Sequence, residues 1–299
     1  MRKTLFLFLL LGQLVCAQQI ELKSVRLLAG TEKGGFYHPV FSPQGNYILT
    51  TFDDYQGLNC HVLATNEIKR LTSDLGAGYA VRISNDENTI LYRKYNFVQN
   101  VRYSSLRKYT MNNGRNVELI KPTRENIVPQ FSNNAPVYLR GKKMLKAPSA
   151  KKSLPLITIE NKKMVLYIDG TARVLTPNGE NESYFWTSIS PDNRHIVYTT
   201  ARGGTFVCDL DGKNVVSIGY LNSPKWLNNK WLVGMNDVDD GHKVLSSDIV
   251  AVSIDGKTRK TFQLPKKMKA MYPAPSADGK KIAFNTLEGK IYIMEITIK

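Results

Sequence analysis

Ser190-Pro191-Asp192-Asn193, followed at once by Arg194-His195-Ile196-Val197-Tyr198, is the stretch from which the fold is read. Pro and Asp/Asn supply a tight reversal, and the β-branched and aromatic run after it suits a buried, pleated strand. The same pattern recurs along the chain. It stands at Ser42-Pro43-Gln44-Gly45 before Tyr47-Ile48-Leu49, and at Ser84-Asn85-Asp86-Glu87 before Ile90-Leu91-Tyr92. It stands again at Ser132-Asn133-Asn134-Ala135 before Val137-Tyr138-Leu139, and at Ser276-Ala277-Asp278-Gly279 before Ile282-Ala283-Phe284. A degraded copy is Leu227-Asn228-Asn229-Lys230 before Trp231-Leu232-Val233. Successive anchors lie 42, 48, 58, 37 and 49 positions apart. That is the length of a four-stranded propeller blade, roughly 40–50 residues.

Several anchors are followed by a second hairpin. Met164 to Ile168 turns at Asp169-Gly170 into Val174-Leu175, Phe206 to Leu210 turns at Asp211-Gly212 into Val215-Val216, and Ile249 to Val252 turns at Asp255-Gly256. Asp-Gly between apolar strands is a strong hairpin signal, because the turn needs positive φ. Each blade therefore reads as strands A, B, C and D, with the anchor between A and B. Six anchors predict an all-β, six-bladed propeller. Its last blade stops at strand C, Ile291 to Ile298, which leaves a sheet edge open. Leu22, Val25, Leu27 and Leu28 precede the first anchor and can supply the missing strand D. The N-terminal strand is thus expected to complete the last blade and close the ring.

The Ser-Pro-Asp-Gly-like turn with its Pro/aromatic flank and Ile-Ala-Phe run resembles the WD40-like repeats of TolB-type propellers. Residues 190–193 and 276–284 match best, and the resemblance covers nearly all of residues 20–299. Similar repeats occur in the propellers of prolyl oligopeptidase-type peptidases. TolB carries a further N-terminal α/β domain that binds its partners, for which this chain leaves no room. The resemblance therefore implies the propeller alone.

The first 17 residues read as a signal peptide: Arg2 and Lys3, the apolar run Leu5 to Leu11, then Val15-Cys16-Ala17 before Gln18. Lipidation at Cys16 ranks second, because a lipobox wants a small residue where Val15 stands. Residues 18–299 are then one domain, exported to the periplasm or the outer surface. The chain carries 41 Lys+Arg against 25 Asp+Glu; without Arg2 and Lys3 the excess is +14. Such a balance suits anionic partners or surfaces. Export argues against nucleic acid, and the absence of a dimerisation helix points to a monomer. Cys60 and Cys208 fall in strands C of blades 1 and 4, facing each other across the ring. That spacing is too wide for a disulfide, so two buried thiols are expected.

Chemistry-bearing residues are sparse. The four histidines, His38, His61, His195 and His242, show no metal or catalytic spacing, and there is no nucleophile elbow or phosphate loop. Asp237-Val238-Asp239-Asp240-Gly241 has too few ligands for a calcium loop. No cofactor, metal or catalytic group is expected. The loop-rich face is the more informative feature. Tyr37, His38, Tyr79, Tyr184 and Tyr272 lie at the D–A loops, with Phe36 and Phe185 beside them. Arg93, Lys94, Tyr95 and Phe97 lie in the B–C loop of blade 2, and Arg202 in that of blade 4. Arg140, Lys142, Lys143, Lys146, Lys151 and Lys152 add charge near blade 3, while Asp53, Asp54, Asp237, Asp239 and Asp240 lie opposite. The expectation is a face basic over blades 2–4 and acidic over blades 5–1. If Leu156 to Ile159 is strand B of blade 3, residues 140–152 move to the other face. On this basis the chain is expected to be a non-enzymatic scaffold binding another cell-envelope protein. A carbohydrate or anionic-polysaccharide binder is second, and a propeller lyase or glycosidase third.

Overall fold

The serines of the repeat turns cap the hairpins they begin. In the computed structural model, which describes residues 19–32, 34–132, 134–147, 154–265 and 267–299, Ser42, Ser84, Ser190 and Ser276 each accept on Oγ a backbone N–H five residues on. Three of these hydroxyls also donate to an aspartate, Asp86, Asp192 or Asp278. In the degraded repeat, Asn228 Oδ1 does the same work, accepting from the N–H groups of Lys230 and Trp231. The cap satisfies backbone donors that a buried turn leaves without a ladder partner.

Around these turns the chain forms seven antiparallel sheets. Blade 1 is β2 (Tyr37–Phe41), β3 (Tyr47–Thr51), β4 (Leu58–Val62) and β5 (Glu67–Thr72), counted outward after β1 (Ile20–Ala29). Blade 2 is β6 (Arg82–Ile83), β7 (Thr89–Val98), β8 (Val101–Thr110) and β9 (Asn116–Thr123). Blade 3 has β10 (Ile127–Ser132), β11 (Ala135–Arg140) and β12 (Lys143–Lys146). Blade 4 has β13 (Leu156–Glu160), β14 (Lys163–Ile168) and β15 (Thr171–Leu175). Blade 5 is β16 (Tyr184–Ile189), β17 (His195–Thr200), β18 (Thr205–Asp209) and β19 (Val216–Gly219). Blade 6 is β20 (Asn222–Trp226), β21 (Trp231–Asp239), β22 (Val244–Ser253) and β23 (Arg259–Thr261). Blade 7 is β24 (Ala270–Pro275), β25 (Lys281–Thr286), β26 (Ile291–Ile298) and, outermost, β1.

The N-terminal strand closes the ring as expected: β1 pairs with β26 from Ile20 opposite Ile298 to Ala29 opposite Ile291. Apolar clusters then bridge successive blades. Tyr47, Leu49 and Cys60 of blade 1 pack on Val81, Ile90 and Tyr92 of blade 2, and Phe41 and Ile48 on Ala283 and Ile293 of blade 7. The sequence alternates because each blade buries both faces against its neighbours. Cys60 and Cys208 are unpaired and buried in different blades; Cys208 belongs to blade 5, not blade 4.

The blade count of six is corrected to seven. Anchors mark only blades that begin with a strand A, and among the described residues blade 4 has none. Gln130 Nε2 donates to the Pro155 carbonyl and Asn126 Nδ2 to Thr158 Oγ1, both at 3.3 Å. Rising residue numbers in β10 thus meet falling numbers in β13, so the two run antiparallel. Elsewhere neighbouring anchor turns touch, as where Asp192 N–H donates to Asn229 Oδ1. Strand β13 therefore starts at the anchor face, where other inner strands end. Its first turn is Asn161-Lys162, both at positive φ (48° and 66°), a two-residue hairpin with no serine anchor. The widest anchor spacing, Ser132 to Ser190, conceals this extra sheet, and the pair Met164–Ile168 with Val174–Leu175 belongs to it. Lys151, Lys152, Cys16 and the segment 1–17 lie outside the described residues.

Candidate functional site

Anchor turns occupy one face of the ring, and the B–C and D–A loops the other. On the loop face the inner strands share a distortion. Four residues before the anchor position, His38, Ala80, Trp186, Ser223 and Tyr272 all have φ between 49° and 54°. In blades 1, 5, 6 and 7 this coincides with a break in the pairing of strands A and B. A bulge re-aims the side chain out of the blade, and bulky residues held at positive φ mark functional positions more often than chance.

Here the bulges assemble a ladder of rings. The His38 imidazole stacks on Tyr55 with centroids 4.2 Å apart and planes at 18°, and tilts against Tyr272, also at 4.2 Å. Tyr55 meets Tyr79 edge-on at 5.2 Å, and the Arg93 guanidinium lies 4.5 Å from the Tyr79 centroid. Five side chains from blades 7, 1 and 2 thus form one continuous contact at the inner rim. Burial, and then the Lys225 charge, lower the His38 pKa to about 4, so the imidazole is a neutral ring near pH 7. Burial pushes the Tyr55 hydroxyl up to about 12. Such a rim can stack on flat apolar or sugar faces and offers one cation.

Two hairpins rise beside it. Strands β7 and β8 pair over their full length to the turn at Gln99-Asn100, and β21 pairs with β22 out to Asp239. Their ends expose Phe97 (58%), Val98 (58%), Val238 (52%) and Leu245 (48%). The base of the first hairpin is fixed. Lys94 pairs with Asp74 at 3.0 Å, Tyr92 donates to the same carboxylate, and Arg102 lies over Tyr95. Gly76, at φ +79°, lets the neighbouring loop approach, since a Cβ there would lie 2.4 Å from the Tyr95 ring.

Solved structures share this architecture. TolB from Acinetobacter baumannii superposes with a TM-score of 0.52 at 14% identity, over 80% of this chain and 56% of that one. A putative TolB from Agrobacterium tumefaciens gives 0.52 at 16% identity, over 88% and 90%. The fold is TolB-like. An oligogalacturonate lyase from Vibrio parahaemolyticus shares it too, at TM-score 0.50 and 12% identity over 93% and 96% of the two chains. This chain spans just over half the length of the Acinetobacter TolB. No protein-family model matches the sequence, and no curated protein matches it.

Within this TolB-like ring the expected site residues separate. His38, Tyr79, Arg93 and Tyr272 come together in the ladder. Lys94, Tyr95 and Phe97 lie on the blade 2 hairpin, and only Phe97 is fully presented. Tyr37 is half-buried, its ring beneath Gly35 and Gly289. Tyr184 is buried, its hydroxyl donating to the Gly179 carbonyl and accepting from Asn178 N–H; it holds a loop together. Arg202 belongs to blade 5 and stands 3.7 Å from Glu182. Phe36 is buried, packing on Phe52 and His61. The expected split into a basic and an acidic half is corrected: Asp74, Glu125 and Glu182 sit among the cations and pair with Lys94, Arg140 and Arg202. The loop face is therefore mixed in charge over blades 2–5.

Of the other histidines, His61 is buried with Nε2 2.7 Å from Thr50 Oγ1, and His195 lines a cleft of about 270 Å³ between blades 5 and 6. Asp239 and Asp240 accept N–H groups of their own turn, from Gly241, His242 and Lys243. Among the described residues no group of three or more His, Cys, Asp or Glu is placed to hold a metal ion, and no helix is long and apolar enough to cross a membrane. Sequence reasoning missed Tyr55, Trp186, Arg82 and Lys225. A shared offset from the anchor would have found the last three; Tyr55 sits in an irregular loop with no such signal.

Proposed function

We propose that this propeller is an exported, non-enzymatic binding protein that engages another protein of the cell envelope through its loop-rich face. The observation that carries this is the pair of projecting hairpins, with Phe97, Val98, Val238 and Leu245 exposed at their ends on opposite sides of the rim. Large apolar side chains held out on regular strands cost solvation and are the composition of protein contact cores. Neutral His38 packed between two tyrosines favours binding over acid–base catalysis.

The test is crosslinking of the tagged, exported protein in its native envelope, with mass spectrometry of the adducts. One dominant protein adduct, lost in Phe97→Asp with Val238→Asp but kept in Lys142→Ala, supports the proposal. Adducts spread over many proteins and unmoved by the hairpin changes would overturn it.

The aromatic ladder favours a second reading, a carbohydrate or anionic-polymer binder, with His38, Tyr55, Tyr79 and Tyr272 as the stacking surface. One TolB-like neighbour is an oligogalacturonate lyase, but at its low identity that likeness is one of fold. Retention of glycan without a protein adduct would favour this reading.

A further inference from the structure

Most strongly positioned cations of this protein have a carboxylate. Lys94 has Asp74, Arg107 has Glu118, Arg140 has Glu125, Arg173 has Asp211 and Arg202 has Glu182. Two that face inward, and Arg93 at the rim, do not. Two residues before the anchor position, the inner strands carry Val40, Arg82, Gln130, Ser188, Lys225 and Ala274, none of which is buried. The position just before these is buried in five of these six strands. A side chain of the innermost strand that is open to water, next to one buried between blades, faces the middle of the ring. Arg82 and Lys225 therefore point inward from blades 2 and 6, on opposite sides.

Neither has a carboxylate within ion-pair distance among the described residues; Arg82 donates only to the carbonyl of Val81. Arg93 is the third cation. Its terminal nitrogens donate to the carbonyls of Ile127 and Tyr79, while its buried Nε has no partner. The three charges act on one another. Enclosure by the surrounding ring and the Arg93 charge lower the Arg82 pKa, and the same enclosure and the Arg82 charge bring Lys225 down to about 8, although both side chains keep solvent-accessible surface. Nearby, Gln130 Oε1 and Ser188 Oγ are buried without partners. Like charges gathered without a counter-charge are unfavourable, and unpaired buried polar atoms add to the cost. A bound anion would offset the repulsion through charge-assisted hydrogen bonds.

We propose that the inner wall of the propeller is a binding site for an oxyanion-bearing ligand, a carboxylate or phosphate group received by Arg82, Arg93 and Lys225. The ring of His38, Tyr55 and Tyr272 forms the entry and holds the uncharged part of the ligand. This site is separate from the hairpin ends, so a partner protein and an anion can bind independently.

Calorimetry at low ionic strength, with inorganic phosphate, citrate and glucose as probes, tests it, alongside thermal unfolding. The wild-type protein binds phosphate or citrate and unfolds at higher temperature in its presence. Arg82→Gln and Lys225→Gln each weaken binding by about tenfold or more, the scale of one lost charge-assisted bond. Both variants stay as stable as the wild type without anion, because removing an unpaired cation relieves repulsion, and this separates lost binding from lost folding. Lys142→Ala, on an outer loop, leaves binding unchanged. Phosphate without citrate, or the reverse, identifies which oxyanion is taken. Absence of binding to both anions, or binding that persists in the Arg82→Gln/Lys225→Gln double variant, would overturn the proposal. Loss of the protein adduct in Phe97→Asp with anion binding intact would show the two surfaces to be independent.

Discussion

The imidazole of His38 lies flat on the ring of Tyr55, centroids 4.2 Å apart and planes at 18°. Tyr272 closes its other side, and Asn285 Oδ1 accepts its backbone N–H. A protonated ring in this setting loses water and meets the Lys225 charge, which Asp53 only partly offsets, so its pKa falls to about 4. His61 falls to about 4 as well, through burial alone.

Stability should therefore decline on acidification. Both folded values lie below the 6.5 of a free histidine, so the unfolded chain takes up protons first. The contribution is complete above pH 6.5 and is lost as pH falls from there toward 4. For the fully enclosed His61 the loss is on the order of 3 kcal/mol. Urea unfolding at stepped pH checks this. His61→Gln should flatten the decline; an unchanged slope would contradict the assignment.

The thiols should be inert in the folded protein. Burial pushes Cys60 up to about 11 and Cys208 up to about 12, which removes the reactive thiolate at neutral pH. Titration with an aromatic disulfide reagent should find neither thiol reactive under native conditions and both after denaturation in guanidinium. A Cys60–Cys208 disulfide in non-reduced peptide maps would contradict the ring geometry.

Closure of the ring depends on β1. Removing residues 1–29 would expose the whole edge of β26 and strip Ile20, Leu22 and Val25 from the blade 6–7 cluster. The truncated protein should aggregate or unfold at a much lower temperature, since an exposed long strand edge recruits other chains. Within the same cluster, Ile296→Ala should cost roughly 2–5 kcal/mol in denaturant unfolding.

Glu87 clasps two blades. Its carboxylate accepts from Gln44 N–H at 2.6 Å and Asn46 Nδ2 at 2.7 Å, and its carbonyl accepts from the Tyr47 hydroxyl. Glu87→Ala leaves the Gln44 N–H and Asn46 Nδ2 without their acceptor in a half-buried site and should cost about 1–3 kcal/mol. Glu87→Gln, which keeps one acceptor, should cost less. Equal losses for the two variants would show that the carboxylate bonds contribute nothing.

The propeller, its closing strand and its unpaired cysteines were legible in the chain, because each is written in local chemistry. Ser42, Ser84, Ser190 and Ser276 cap their own hairpins within five residues, and an apolar run beside such a turn has few alternatives to a buried strand. The seventh blade was not legible. Among the described residues blade 4 lacks the strand that carries an anchor, and the direction of β13 is set by contacts with β10 and β16. The candidate site was half legible: His38, Tyr79, Arg93 and Tyr272 stand out by type, but Tyr184 is a tyrosine at a D–A loop too and is buried. Only the tertiary structure decided which aromatics meet, and that Arg82 and Lys225 point inward from opposite sides with no carboxylate in ion-pair distance among the described residues. Turns and strands follow from neighbours along the chain. The meeting of His38 with Tyr272, or Arg82 with Lys225, depends on how many blades close the ring and how each inner strand bulges, and no local pattern encodes that.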